Sequence, residues 1–162
     1  DIDAAILATP PEESRLTAIA LYDEPFWIAL PHGHRLEAEE SIDAADIQLD
    51  ELLLLADGHC LRDQVLSFCH RGGSATNTQD TSLATILALV GAGAGVTLVP
   101  AISLQGSWMT DAGIAVRREK SGLAQRTVTL VFRASYPRRE ILEKLADIIC
   151  AIVPDTVNPS RR

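Results

Sequence analysis

Two of the three cysteines in the chain stand in one short stretch, DGHCLRDQVLSFCHRGG, residues 57–73. They are Cys60 and Cys69, with eight residues between them. The intervening residues read as helix, and the chemistry open to two thiols on one short helix is redox chemistry. Asp57 can cap a helix that begins at Gly58, which puts Cys60 in the first turn. A helix N-terminus carries partial positive charge and unpaired N–H groups, and His59 and Arg62 add basic character beside it. Such surroundings lower a thiol pKa and favour the thiolate, the nucleophilic form. A single Cys at this place reads equally well as a small buried hydrophobe; the second Cys shifts the balance toward chemistry.

The spacing then sets a constraint. If residues 58–70 form one helix, the step from Cys60 to Cys69 advances roughly 13.5 Å along the axis and turns about 900°. A disulfide needs Cα atoms within about 7 Å, so the two thiols cannot bond while the helix persists. The segment has two exclusive states, reduced and helical or oxidised and rebuilt. Closing a loop of this length stabilises the oxidised form by roughly 2.7 kcal/mol in the chain-entropy picture. Losing a packed helix costs as much or more. The disulfide is therefore expected to be strained and readily reduced, which suits a reversible sensor. The oxidation reads as two steps: the Cys60 thiolate takes an oxygen from a peroxide to become a sulfenic acid, and Cys69 condenses with it. His59 and Arg62 are candidate donors to the departing oxygen, although Arg62 reads more simply as a helix-surface charge. Asp63, one turn on from Cys60 or His59, could orient a water or the peroxide.

These residues need a scaffold, and the pattern around them supplies one. AAILA (4–8) reads as a buried strand. LTAIALYDEPFWIAL (16–30) reads as extended structure broken by DEP at 23–25. PHGHRLEAEESI (31–42) is polar and loop-like, and DAADI (43–47) suits a short helix. ELLLLA (51–56) is a short continuous apolar run of the kind found in buried parallel strands, directly before the cysteine motif. GGSATNTQD (72–80) is a polar connector. TSLATILALVGAG (81–93) carries a helical stripe at 83, 86, 87 and 90 and ends in glycines. GVTLVP (95–100), GIAVRRE (113–119) and RTVTLVFR (126–133) read as strands. PRREILEKLADIICAIV (137–153) reads as an amphipathic helix with its stripe at Ile141, Leu145, Ile148 and Ile152, which leaves Cys150 off the stripe as a bystander. Strands alternating with helices predict an α/β fold.

The bulk numbers exclude several functions. The chain has 162 residues, is 47% hydrophobic and carries a net charge of −8. It can bury a core, but this balance argues against the chain itself gripping nucleic acid or an anionic membrane, since phosphate binding needs clustered Lys and Arg. No apolar run has the length of a membrane span. Three cysteines make neither a disulfide scaffold nor a zinc set: C-x8-C is not a zinc spacing, and His59 and His70 do not complete one. No cofactor or metal is expected, and a reducing cytoplasm fits. GAGAG (91–95) follows a helix and precedes a strand, the reverse of a dinucleotide-binding turn. The chain does not start with Met and begins close to a strand, which suggests a piece of a larger protein.

DGHCLRDQVLSFC resembles closely the redox-active segment of the OxyR family, the peroxide-sensing LysR-type transcription regulators. ALYDEPFWIALPHGHRL (20–36) and TSLATILALVGAGAGVTLVPA (81–101) resemble general LysR-type effector-domain patterns. TLVFRASYPRREILEKLADII (129–149) resembles the return crossover and last helix. The resemblance implies two Rossmann-like lobes of the periplasmic-binding-protein kind. On that pattern, 1–24 ends the first lobe, which is incomplete, 25–130 is the second lobe, and 131–162 returns to the first.

Carried over residue by residue, Cys60 is the peroxidatic cysteine and Cys69 the resolving one. His59 and Asp63 match positions of the peroxide pocket, and Arg133 matches an arginine facing the thiol. The family implies hydrogen peroxide as the signal and a homodimer or dimer of dimers, for which the apolar positions of TILALV (85–90) offer a surface. It also implies promoter DNA bound through an N-terminal domain outside this chain, RNA polymerase as a further partner, and glutaredoxin or thioredoxin as reductant. The family's winged helix-turn-helix, and a threonine that helps bind peroxide, are absent from the sequence. Two other classes compete with a non-enzymatic sensor. A thiol peroxidase or oxidoreductase is disfavoured by the lack of C-x-x-C and by a helix that must refold at each turnover. A LysR-type domain binding a small metabolite would leave the cysteines incidental.

Overall fold

A computed structural model describes residues 2–9, 13–56, 60–68, 76–77, 82–105 and 113–160. In chain order the strands are β1 (Ala4–Leu7), β2 (Leu16–Pro31), β3 (Ser41–Ile42), β4 (Leu53–Leu54), β5 (Thr76–Asn77), β6 (Thr97–Pro100), β7 (Ile114–Glu119), β8 (Gln125–Arg133) and β9 (Asn158–Pro159). The α-helices are α1 (Cys60–Phe68), α2 (Leu83–Gly91) and α3 (Arg139–Ile152). Short 3-10 helices span Ala44–Asp46 and Ala101–Gln105. The α/β expectation holds. The chain divides into two compact units, Asp1–Glu24 with Gln125–Arg162, and Pro25–Ala124. The second boundary thus falls at 124/125, where the sequence pattern had put it at 130/131: β8 is one uninterrupted strand from 125 to 133, and Leu7 to Ala4 of β1 bond it from Thr129 to Phe132.

The 25–124 unit positions the cysteine motif. Its centre is the second half of β2, which pairs antiparallel with β6 (Phe26↔Pro100 to Ala29↔Thr97) and with β7 (Trp27↔Arg118 to Pro31↔Ile114). Strand side chains alternate between the two faces of a sheet, and here both faces are covered. Phe26, Ile28 and Leu30 of β2 enter one apolar cluster, with Leu52, Leu54 and Leu98. Ala29 enters the other, with Leu53, Leu55 and Val99, and Trp27 packs against it. The leucine run 52–55 therefore feeds both faces alternately, and all four side chains are buried. Helix α1 packs on the first cluster through Val65, and α2 on the second through Ile86, Leu87 and Val90. Each such aliphatic side chain contributes about 1.5–3 kcal/mol on burial. The run forms a parallel strand as expected, but only Leu53 and Leu54 are regular strand, paired with β5, with Leu52 bridged in parallel to Val96.

Several expectations need correction here. The DEP at 23–25 does not break β2, which runs unbroken through it. Pro25 lacks an N–H, but it stands where β2 exchanges partners, between Asp23 on β9 and Phe26 on β6. Glu24 is fully buried because Arg126 grips its carboxylate at 2.7 and 2.8 Å. The apolar positions of TILALV are not a free surface: Ile86, Leu87 and Val90 are core.

In the other unit, β1 is half exposed rather than buried, because among the described residues it ends the strand order, paired with β8. On α3 the buried row is Leu142, Ala146 and Cys150, while Ile141, Leu145, Ile148 and Ile152 are exposed. Two apolar rows run along this helix, and periodicity alone does not choose between them. The small Ala146 fits close contact, and the Cys150 thiol donates to the Leu21 carbonyl at 3.0 Å. Among the described residues no helix is long and apolar enough to cross a membrane.

Candidate redox site

The base of the site is the parallel junction between residues 51–54 and 95–97. Val96 N–H donates to the Glu51 carbonyl and Leu53 N–H to the Val96 carbonyl, both at 2.8 Å, and the Thr97 hydroxyl adds a bond to the Leu53 carbonyl at 2.8 Å. Gly95 makes this approach possible, since a Cβ there would collide with the Glu51 carbonyl oxygen. The Glu51 side chain pins the preceding loop. It accepts from Arg35 at 2.8 Å, from Gln48 N–H at 2.9 Å and from His34 Nε2 at 3.3 Å. Burial pushes this carboxyl up, but the bonds from Gln48, His34 and Arg35 outweigh it and hold the pKa below its ordinary 4.5. This cluster carries no signal in spacing, because its members lie up to 17 residues apart.

Cys60 is the first residue of α1, as the motif predicts, six positions beyond the end of β4. The helix is anchored at both ends. In its first turn Arg62 donates from Nη1 to the Leu55 carbonyl at 3.0 Å, tying the helix to the end of the leucine run. Arg62 is thus half-buried and engaged rather than a free surface charge. In the last turn the Phe68 ring meets Phe26, with centroids 5.2 Å apart and planes tilted by 53°. Leu61, Val65 and Phe68 are spaced i, i+4, i+7, one helical face, and all three pack on the apolar core. Asp63 lies in the first turn and is exposed. A carboxylate there complements the helix dipole and stands one turn on from Cys60.

His59 and Cys69 lie outside the described residues, as do Asp57 and Gly58, which the capping argument used. Arg133 ends β8 in the other unit, where it is exposed beside a groove it shares with Leu7 and Leu16. Among the described residues no group of three His, Cys, Asp or Glu side chains could hold a metal ion. What the described part provides is a cysteine at the start of a short helix that follows a buried strand, with Arg62 bonded back to that strand's end and Val65 and Phe68 packed on the core.

Comparison with known proteins gives this arrangement a context. The profile of the LysR substrate binding domain matches residues 1–151. A "Probable hydrogen peroxide-inducible genes activator" from Mycobacterium avium is 39% identical, aligned over 94% of this chain and 50% of its own. The chain spans about half the length of the curated relatives it matches. Among solved structures, the reduced form of the OxyR regulatory domain from Pseudomonas aeruginosa is 37% identical with a TM-score of 0.84, covering 93% of this chain and 73% of that one. An H2O2-bound OxyR mutant from Corynebacterium glutamicum is 37% identical with a TM-score of 0.82, over 93% and 48%. The resemblance first carried by residues 57–69 therefore extends along nearly the whole chain.

Proposed function

The chain belongs to the LysR substrate binding domain family, and from that premise we propose that it is the hydrogen-peroxide-sensing regulatory domain of a LysR-type transcription regulator. The observation that carries this reading is Cys60 at the first position of α1, in a chain whose relatives are peroxide-inducible activators and OxyR regulatory domains. The thiolate of Cys60 attacks one oxygen of hydrogen peroxide. The S–O bond forms as the O–O bond breaks, the sulfur is oxidised by two electrons, and hydroxide leaves and takes a proton to become water. His59 is the nearest side chain in sequence that can give that proton, Arg62 is a candidate hydrogen-bond donor to the departing oxygen, Asp63 orients the peroxide or a water, and Arg133 is carried over from the family pattern alone. Cys69 then attacks the sulfenic sulfur, and the S–S bond forms as a second water departs.

The helix Cys60–Phe68 spans about 12 Å along its axis, more than the roughly 10.8 Å that a Cys60–Cys69 disulfide leaves between residues 60 and 68, so it cannot persist whole in the oxidised state and the signal is a refolded segment. In the cell this domain acts in the cytoplasm as a homodimer or dimer of dimers, and its output reaches promoter DNA and RNA polymerase through a DNA-binding domain outside this chain. Glutaredoxin or thioredoxin returns the thiols. The domain is a switch and not a catalyst. Intact-mass measurement after stoichiometric peroxide tests the reading. The expected result is a loss of two hydrogens mapping to Cys60–Cys69. An unchanged mass, or a bond to Cys150, overturns it.

A further inference from the structure

Glu24 is the one charged residue that is fully buried among those described. It stands on β2, and Arg126 of the neighbouring strand β8 holds its carboxylate at 2.7 and 2.8 Å. The residue beside it, Asp23, accepts from the Thr127 hydroxyl at 2.6 Å. Two residues on from Glu24, Phe26 N–H donates to the Ala124 carbonyl at 2.7 Å. Partner numbers fall along β8 as they rise along β2, so the two strands run antiparallel. Successive side chains of a strand point to opposite faces, so the Glu24–Arg126 and Asp23–Thr127 pairs lie on the two faces of the sheet.

A buried ion pair is a poor source of net stability, because desolvation offsets most of the attraction. What this pair supplies is information that the apolar residues around it lack. Val128, Thr129, Leu130, Val131 and Phe132 of β8 are all buried, so both faces of that strand are interior. A slip of one residue exchanges the faces of a strand, but a slip of two returns every side chain to its own face. Burial alone therefore does not separate the observed pairing from one shifted by two. The charges do. Shifted by two, Glu24 would face Ala124 or Val128 in place of Arg126, and both are apolar and buried. The carboxylate would then lie in the interior without its cation, which is strongly destabilising.

We propose that the Glu24–Arg126 pair is the register key of β2 and β8: it adds little to stability and excludes the pairings shifted by two. The role is conformational, in selecting one fold from near alternatives, and it stands whether or not the redox reading above holds. The Asp23–Thr127 bond does not share it. Thr127 is exposed, and water can replace either partner of that bond at little cost.

Leucine replacements separate register from stability. Arg126→Leu strands the buried carboxylate and is expected to lower the urea midpoint the most. Glu24→Leu should lower it less, since the partly exposed Arg126 can turn its charged head to water. The double variant Glu24→Leu with Arg126→Leu should regain most of the lost midpoint, because apolar replacement of a buried pair is often neutral. The same double variant should lose its single pairing. Amide resonances of residues 19–24 and 126–131, one set in the wild-type chain, should divide into two or more, with new cross-strand Hα contacts shifted by two residues. Asp23→Asn should keep one set and the wild-type contacts. A double variant with one set of resonances and unshifted contacts overturns the key. A double variant no more stable than Arg126→Leu also overturns it, because the pair then acts through stability. Division of the resonances in Asp23→Asn would overturn it as well, since register would not depend on the buried pair.

Discussion

Helices α1 and α2 have nine residues each and cover the two faces of one sheet, yet they are held in different ways. Helix α2 is built to stay. The Ser82 hydroxyl accepts from Thr85 N–H at its start, Ala92 N–H bonds back to Ala88 at its end, and Gly93 N–H bonds to Val90. Gly93 takes a φ of 81°, a conformation that costs a residue with a Cβ, and the next N–H, that of Ala94, reaches back to the Leu89 carbonyl at 3.0 Å. Three of its side chains are buried to 1% or less. Helix α1 has Val65 as its one fully buried side chain among those described, with Leu61, Leu66 and Phe68 half-buried against the same core and Arg62 bonded to the Leu55 carbonyl. A helix with one fully buried side chain gives up less core contact on release than a helix with three. Low local stability is what a moving element requires, and the switch proposed above needs it in α1, the helix that begins at Cys60.

The largest expected break in this comparison comes from Cys60→Ser. Peroxide should then leave the chain with no loss of mass and no sulfenic label, and hydrogen exchange should show no difference before and after oxidant. In the wild-type chain the same measurement should show protection lost across 60–68 and kept across 83–91. Oxidation that loosens both helices equally would end the distinction drawn above.

Core truncation is next in size. Ile86→Ala on α2 should cost about 2–5 kcal/mol, the range for large-to-small changes at fully buried sites. Val65→Ala on α1 removes two methyl groups and should cost about 1.5–2 kcal/mol. Urea unfolding gives both numbers. A Val65→Ala penalty matching that of Ile86→Ala would mean α1 is as deeply seated as α2.

The two helices also differ in what the sequence discloses. The stripe at 83, 86, 87 and 90 and the glycines after it announce α2, its core face and its end. The leucine run and the cysteine motif announce β4 and α1 in the right order, because both are local patterns. What stayed hidden depends on partners far apart in the chain. Pro25 reads as a strand breaker until Arg126 is seen holding Glu24, 102 residues away. Two apolar rows compete on α3, and only the contact of Cys150 with Leu21, 129 residues away, settles which is buried. At the site, the place of Cys60 in the first turn of a helix was legible and the ring contact of Phe68 with Phe26 was not, since Phe26 lies on a strand whose pairing no local pattern gives.

Loss of the cap tests the start of α2. Ser82→Ala should cost about 1 kcal/mol, read as a lower urea midpoint with an unchanged slope. Oxidation kinetics of the thiols should not move, because the cap serves the helix on the other face. A change in the rate of disulfide closure would show that the two faces are coupled through the leucine run.

The smallest effect concerns what the two helices share. Glu51 stands at the base of the run that feeds both faces, and its carboxylate joins Arg35, His34 and Gln48 N–H. Those bonds hold its pKa below the ordinary 4.5 in the folded chain. For a carboxyl lowered on folding, the stabilisation is complete above the unfolded pKa and is lost as pH falls through the folded one. Glu51 is partly exposed, so the contribution should be modest, about 0.5 kcal/mol. Glu51→Gln should therefore lower stability by that amount at neutral pH, and the gap to wild type should close as pH falls below the carboxylate range. Because Glu51 precedes the whole run, hydrogen exchange should show α1 and α2 loosened to the same small degree, with the difference between them intact. A penalty that does not change with pH would trace the effect to packing instead of charge. Loosening confined to α1 would mean that the loop at 34–35 supports the redox face alone.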